Sequence, residues 1–571
     1  MASPSSVPDA SSAISSPSTV RSRAGSAGSK NGGVPRRSLL LLLGMLVALA
    51  LWALAAELSF VAPSSGNEQD GDLMRALDAA AAAEDGEEAP PTGGTGAHAF
   101  YPEQLFETDW ASRIEASDIL HESALHRGCV KHKNSVIPWT YGRSGQNESE
   151  SRQQLIEKDD PELLARLREC PDVDVFLPEG LRSFGYCEDA AAYTKFLESR
   201  MLPRWVLEVS FEDTTRNRSV TYHDLCPNTP LIFFNHYWEG LLEAADWPAA
   251  KPLYLMPNME MYELESEHYW RADVILCKTA LCARYLRKWF RQEGNPRGTR
   301  VLYTRHTTSN LALTIHSQLS ASEADMVPVK NFSDVSFLHT AGTSIQKGTR
   351  QVLDCWLSRS DLPPLELYMA QDLFDGAFAN RYAKRIAQNS NVHLHTGRLE
   401  PAAFGRLITE GSFFLCPSLQ EGYGHYINQA RSSRAFILTT DVAPMNELIT
   451  PSSGALIEAR VVAHGGQFLG GTSTKPHALK GVPGFVADFG GRAVCNAVSA
   501  VLESTTPEER ARRADKALQQ YYFDTVFFAQ KMQELRDFAR AKSHPGRLPS
   551  KLRRHEDGVE VSSPPEIKGR R

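Results

Sequence analysis

The sequence predicts an α/β protein: two Rossmann-like domains facing across a cleft, preceded by a single transmembrane helix and a flexible stem. Three observations carry that expectation. From about residue 172 to 542, short apolar runs alternate with helix-compatible segments, the pattern of parallel sheets. Two glycine-bearing loops, 342–348 and 421–424, each follow such a run and open a helix. An uncharged apolar stretch, residues 38–56, is about the length that crosses a bilayer.

With 571 residues the chain has room for about two to four domains with full cores. Its apolar content (42%) and charged content (23%) are those of a globular protein. A net charge of −7 and the lack of a basic patch interleaved with aromatics exclude nucleic acid as the expected partner. Residues 1–37, rich in Ser, Pro, Gly and Ala, read as a disordered cytosolic tail, and 38–58 as the transmembrane anchor. The apolar run is longer than the core of a signal peptide and follows 37 residues, which favours an uncleaved anchor over a cleaved signal. Arg21, Arg23, Lys30, Arg36 and Arg37 precede it, while Glu57, Glu68, Asp70 and Asp72 follow, so the N-terminus is expected in the cytosol and the rest in a lumen. Residues 59–105, small, acidic and Pro-containing, read as the stem. On the lumenal side the sequons at Asn147, Asn217 and Asn331 become N-glycan acceptors. Of nine cysteines, Cys129, Cys170, Cys187 and Cys226 are candidates for disulfides, whereas Cys277, Cys282, Cys355, Cys416 and Cys495 sit in or beside apolar runs and read as buried thiols.

The first domain is expected over 106–330. Residues 101–170 are an irregular elaboration with helical hints near Ile119 and at 163–167. Strands follow at 173–177, 231–235, 253–256, 274–277 and 301–304, with helices over 188–201 and 281–290 among the segments between them. His236, directly after a strand, stands where parallel sheets bind ligands. It can hydrogen-bond a sugar hydroxyl or polarise a reaction centre, or it can simply be satisfied by neighbouring backbone. The Gly180–Gly185 loop is a weaker candidate for the same edge.

The second domain is expected over 331–542 and a disordered tail over 543–571. Strand 336–341 runs into a loop ending Lys347-Gly348, then a helix over 349–357. Strand 365–369, a long helical stretch through 388, a strand and turn ending Gly397-Arg398, and a helix over 401–410 lead to residues 413–449. There an apolar run ends in Pro417-Ser418, the loop Glu421-Gly422-Tyr423-Gly424 opens an amphipathic helix from His425 through Gln429, and a second strand leads to a turn with Glu447. Glycine lets backbone crowd a ligand, and the free N–H groups at a helix start favour an anion. A Gly-rich excursion at 463–483 carries His464 and His477, and 508–541 is helical with Tyr521, Tyr522, Phe523, Phe527 and Phe528 on its packing face.

The pattern PS-x-x-EGYG-x-x-x-x-QA, a strand, then P-x-NEL resembles the donor-binding core of GT-B glycosyltransferases, nearest to the retaining family 4, or group 1, enzymes marked by Glu, seven residues, Glu. Here the second position is Gln429, which keeps an acceptor oxygen and loses the charge. The resemblance implies a hexosyltransferase-type enzyme that takes a nucleotide-sugar as co-substrate, with no cofactor and no metal. The diphosphate would rest on the amides of Gly422, Tyr423, Gly424 and His425 and against Lys347, with Glu421 orienting the sugar and Gln429 meeting the ribose. Glu447 would close the site or hold its loop, and His236 would face the reacting sugar. Many relatives carry an arginine several residues before the lysine; Gly342 or Thr343 stands here, and Arg398 could supply that charge or pair with Glu400 or Glu410. The helix at 508–541 suits the crossing back to the first domain. The acceptor would be a glycan, glycoprotein or glycolipid, and a type II Golgi (or ER) membrane location follows from topology and family. Two alternatives stay open: a metal-dependent GT-A enzyme holding its ion on Asp172 and Asp174, and an inactive lectin-like or scaffold protein that kept the fold.

Overall fold

The computed structural model describes residues 100–143, 147–261, 263–319, 327–462 and 477–543. The expected tail, anchor and stem up to residue 99, most of the 463–483 excursion with His464, and the C-terminal tail from 544 lie outside the described residues. Among the described residues no helix is long and apolar enough to cross a membrane.

Two parallel sheets organise the chain. The first comprises β1 (Ile137–Pro138), β2 (Asp174–Phe176), β3 (Arg200–Leu202), β6 (Leu231–Phe234), β7 (Leu253–Met256), β8 (Val274–Cys277) and β9 (Arg300–Tyr303), in the order β1-β3-β2-β6-β7-β8-β9. All its pairs are parallel except β1 with β3. A separate hairpin joins β4 (Phe211–Asp213) to β5 (Arg218–Val220). The second sheet comprises β10 (Phe337–Gly342), β11 (Leu365–Met369), β12 (Val392–Thr396), β13 (Phe413–Cys416), β14 (Phe436–Thr440) and β15 (Ala455–Ile457), wholly parallel, in the order β12-β11-β10-β13-β14-β15. That is the doubly wound order, with the reversal between β10 and β13. A short antiparallel pair, β16 (Arg460–Val462) and β17 (Val486–Asp488), lies beside it in the chain.

The longer helices are α1 (Ala116–Lys131), α2 (Phe184–Phe196), α3 (Ala280–Glu293), α4 (Leu311–Gln318), α5 (Thr349–Trp356), α6 (Pro401–Glu410), α7 (His425–Ser432), α8 (Gly491–Ser504) and α9 (Pro507–Ser543). The central strands of each sheet bury both faces, as covered parallel sheets do, and read as continuous apolar runs, whereas the edge strand β12 is largely exposed. In β6, Leu231 and Phe233 enter one core while Ile232 and Phe234 enter the other. In the second sheet Phe413 and Leu415 face one core and Phe414 and Cys416 the opposite one. The terminal α9 spans both halves: Ala514 and Ala517 pack with the second sheet's cores, and Phe528, Met532, Leu535 and Ala539 with the first's.

Several expectations need correcting. The helix expected over 188–201 starts earlier, at Phe184, and stops at Phe196, because Arg200–Leu202 leave it to become β3, which pairs with both β1 and β2. The irregular elaboration at 101–170 contains the sixteen-residue α1 and contributes an edge strand. The long helical stretch after β11 is two helices, Gln371–Ala377 and Ala379–Ala387. Four disulfides are present: Cys129–Cys187, Cys170–Cys226, Cys277–Cys282 and Cys355–Cys495. Cys277, Cys282, Cys355 and Cys495 are therefore not the buried thiols the apolar context suggested. Apolar surroundings report burial, and burial does not exclude a partner sulfur. Cys416 is the free, buried cysteine, its thiol pushed up by burial.

Candidate functional site

The carboxyl ends of the two sheets meet. The loops after β10 and β13 flank the reversal of strand order in the second sheet, where open α/β sheets bind ligands. They approach so closely that a Cβ on Gly348, whose φ is +69°, would lie 1.9 Å from the Pro417 carbonyl oxygen. Only glycine fits there, and the fit sets Lys347 beside the β13 loop. The Lys347 ammonium pairs with Glu421 Oε1 and stands 3.9 Å above the Tyr426 ring. Ser418 donates a hydroxyl hydrogen bond to the same Glu421 oxygen and also bonds the Tyr426 hydroxyl. Lys347 and Glu421, singled out for separate roles, are thus one ion pair, and each side chain keeps a fraction of its surface exposed (17% and 11%).

His425, Gln429, Tyr423 and Glu447 bond to the first half of the chain. His425, the first residue of α7, donates from Nε2 to Asp189 Oδ1 at 3.1 Å. Gln429, one turn on, donates to Glu188 Oε1 at 3.4 Å. The Tyr423 hydroxyl donates to the His306 carbonyl at 3.0 Å, and Gly424 adopts φ +106° before the helix opens. The Glu447 carboxylate accepts from the Ala280 and Leu281 amides at 2.7 and 2.8 Å, capping the N-terminus of α3 with negative charge. Glu447 therefore holds the two halves together rather than facing the Lys347–Glu421 pair. Burial pushes its carboxyl up, while Arg284 and the two amides pull it back. His236 follows β6 at the first sheet's own reversal. Its Nδ1–H donates to the Phe234 carbonyl at 3.1 Å, and its ring stacks on Trp238. Arg398 is exposed on the turn after β12, the outermost strand.

Sequence reading missed four residues of this junction: Asp189 on α2, Glu260 after β7, Lys278 after β8 and His306 after β9. The last three satisfy the rule that singled out His236, a polar residue just beyond a strand's carboxyl end. Lys278 donates to both Asp189 oxygens at 2.9 and 3.0 Å, and His306 Nε2 lies 2.8 Å from Oδ1. Burial opposes ionisation of Asp189, but Lys278, His425 and His306 outweigh it and hold the carboxyl well below its usual range. Burial lowers His306 to about 4, so it is neutral near pH 7. Ligand atoms of Asp189, His306 and His425 fall within 4.8 Å of one another, a donor set with the spacing of a metal site. The Lys278 ammonium already supplies the positive charge on that carboxylate, so a divalent ion would have to sit beside a buried cation.

Asp172 and Asp174 do not form a metal pair. Asp174 is buried and takes a bidentate bond from Arg200 plus the Tyr222 hydroxyl, while Asp172 pairs with Arg536 and Arg540 of α9. Alternation along a strand sends neighbours two apart to one face only inside the strand, and Asp172 precedes β2. Behind the junction, Arg305, Arg431 and Tyr101 all bond to Asp524 of α9, at 2.7, 2.8 and 2.7 Å. An open cavity of about 640 Å³ is lined in part by Arg204 and Glu208, before His236 in the chain, and Glu239 and Asp246, after it, and includes none of the residues singled out.

No protein-family profile and no curated protein matches the chain. Solved structures similar to it are a glycosyltransferase from Rickettsia africae (10% identity, TM-score 0.37, covering 55% of this chain and 78% of that one), the pneumococcal O-GlcNAc transferase GtfA in complex with UDP and GlcNAc (12%, 0.36, 56% and 57%), and Anabaena HepE in complex with UDP and glucose (15%, 0.34, 54% and 77%).

Proposed function

We propose that this chain is a GT-B-type glycosyltransferase that moves a sugar from a nucleotide-sugar to a glycan, glycoprotein or glycolipid, with retention and without a metal. The observation that carries the reading is the Lys347–Glu421 pair at the reversal of the second sheet, beside the start of α7. A nucleoside diphosphate would take over the Lys347 ammonium, and the α7 amides from His425 onward would add the partial positive charge of a helix start. Released from the lysine, Glu421 would accept from sugar hydroxyls and orient the anomeric carbon. Such catalysis rests on positioning and on charge stabilisation of the leaving phosphate. His236, whose Nδ1 is held by the Phe234 carbonyl, serves the acceptor side through Nε2.

The same reading divides the chain into an acceptor-side domain at 106–330 and a donor-side domain at 331–542, carried by the anchor and stem on the lumenal side of a Golgi or ER membrane. Four disulfides suit an oxidising compartment, and Asn147, Asn217 and Asn331 are all exposed, as glycan acceptors must be. One observation favours the inactive alternative: Gln429 replaces the family glutamate and is turned to Glu188.

The test is release of nucleotide from UDP-, GDP- and CMP-sugars by the detergent-purified chain, with and without EDTA, alongside Glu421→Ala. Turnover of one donor that survives EDTA and disappears in Glu421→Ala is the expected result. Nucleotide binding without turnover, even with acceptors supplied, would favour the inactive reading. Loss of turnover in EDTA would overturn the metal-free mechanism.

A further inference from the structure

A carboxyl group outside every motif stands in the proposed site. Glu260 lies four residues beyond β7, at the carboxyl edge of the first sheet, and reaches the glycine next to Glu421. A Cβ on Gly422 would come within 2.3 Å of its Oε2 and 2.5 Å of its Oε1, so this carboxyl lies directly against the glycine. Oε2 is shielded from solvent and has no hydrogen-bond partner. An unmatched buried oxygen costs about 1–3 kcal/mol, so such a group calls for an explanation. Its neighbours at the junction are matched: Asp189 by Lys278, Glu188 by the Ser309 amide and hydroxyl, and Glu447 by two amides. Glu260 alone of these four carboxylates keeps an open oxygen beside the donor loop.

Resting on the glycosyl-transfer reading above, we propose that Glu260 is the catalytic base that takes the proton from the attacking hydroxyl. As the acceptor oxygen bonds to the anomeric carbon on the face the phosphate leaves, which preserves its configuration, its O–H bond breaks and the proton passes to Glu260 Oε2. The bond from the anomeric carbon to the phosphate oxygen breaks, and its electron pair leaves with the nucleoside diphosphate. Groups facing Glu260 come from both halves: Lys278 after β8 and Tyr186 on α2 from the first, Lys347 and Glu421 from the second. Burial pushes its carboxyl up to about 7; Lys278 and a backbone amide oppose the rise, Glu421 adds to it and Lys347 offsets it. A base is most effective when its pKa lies near the working pH.

The experiment measures donor hydrolysis, with water as the attacking hydroxyl, for the purified full chain on UDP-, GDP- and CMP-sugars across pH 5–9. The wild-type kcat should fall below about pH 7 as Glu260 takes up its proton. Glu260→Gln keeps the packing against Gly422 and removes the base. It should lower kcat by about 10²–10⁴-fold, leave the donor KM within about twofold, and abolish the acid limb. Glu260→Asp should recover part of the rate with the limb displaced. A kcat and acid limb unchanged in Glu260→Gln would overturn the base while leaving glycosyl transfer standing. A wild type without turnover on any donor would overturn both. If Glu260→Gln does not fold, pH-difference infrared spectroscopy of the wild type and Glu260→Asp decides: no carboxyl titrating near neutrality that moves in the variant would overturn the base.

Discussion

The two sheet edges that meet at the junction are assembled in different ways. The second sheet contributes Glu421, His425 and Gln429 from a single nine-residue span, joined by Lys347 from the loop after β10 and Glu447 from the turn after β14. The first sheet contributes Asp189, Glu260, Lys278 and His306 from a helix and three separate loops. Yet the edges interlock residue by residue: Asp189 with His425, Glu188 with Gln429, Glu260 with Gly422, and the α3 amides with Glu447. A contiguous motif announces itself in sequence, whereas its partners on the facing edge exist only once the chain has folded.

The largest expected effect comes from the clamp behind the two edges. Asp524 accepts from Arg305 of the first edge and Arg431 of the second, both buried. Asp524→Ala leaves two guanidiniums without their shared carboxylate and should cost about 3–5 kcal/mol, read as a lower urea midpoint. A loss under about 1 kcal/mol would mean that the edges are held by their other contacts and not by this clamp.

The next contrast concerns buried histidines. His339, in the second sheet, is matched at both nitrogens: Nδ1–H donates to the Leu415 carbonyl at 2.7 Å and Nε2 accepts from the Thr349 hydroxyl at 2.9 Å. Burial lowers both His339 and His306 to about 4. The unfolded chain therefore binds these protons first, near pH 6.5. Their contribution to stability is complete above that pH and is lost as pH falls toward 4. Glu260 and Glu122, raised to about 7 and about 8 by burial, act in the opposite sense, since their neutral folded forms are favoured as pH falls toward the ordinary carboxylate range. His339→Gln should flatten the decline between pH 6.5 and 4 by about 1.4 kcal/mol per pH unit, measured by urea unfolding across that range. A slope equal to the parent's would mean that His339 carries its proton in the fold.

How much could be read from sequence follows the same division. Helix α9 was legible nearly to the residue, because a long segment free of internal Gly and Pro with five aromatic residues offers no competing pattern. Most of the doubly wound half was legible because β10, β11, β13 and β14 are largely apolar runs with a helical segment after each, whereas β15, three residues long and followed by another strand, was not. The strand Arg200–Leu202 was not, since three residues after a good helix carry no periodicity of their own. Cys355 and Cys495 are 140 residues apart, and nothing in local composition brings them together; helices α5 and α8 do. Glu260 sits between two methionines in a segment without pattern, and its role depends on a glycine 162 positions later.

That glycine gives a sharper test of the contact. In Gly422→Ala the new Cβ would meet Glu260 at 2.3–2.7 Å, and overpacking of this kind costs about 1–3 kcal/mol. Combining it with Glu260→Ala should return most of that loss, and a double-mutant cycle on unfolding free energies measures the coupling. Strict additivity would show that the two edges do not touch there.

The smallest effect separates two aspartates that the sequence presents as a pair. Asp174 is inside the core, bonded twice by Arg200 and once by Tyr222, so Asp174→Asn disturbs a buried charge network. Asp172 pairs with Arg536 and Arg540 near the surface, where an ion pair is worth about 0–1 kcal/mol. Asp172→Asn should therefore shift the urea midpoint slightly and leave donor turnover unchanged, with or without added manganese. The two residues face different partners, so their substitutions should give unequal results. Equal loss of a metal-dependent activity in both variants would restore the paired-carboxylate reading, because only a shared ion makes residues with such different surroundings fail together.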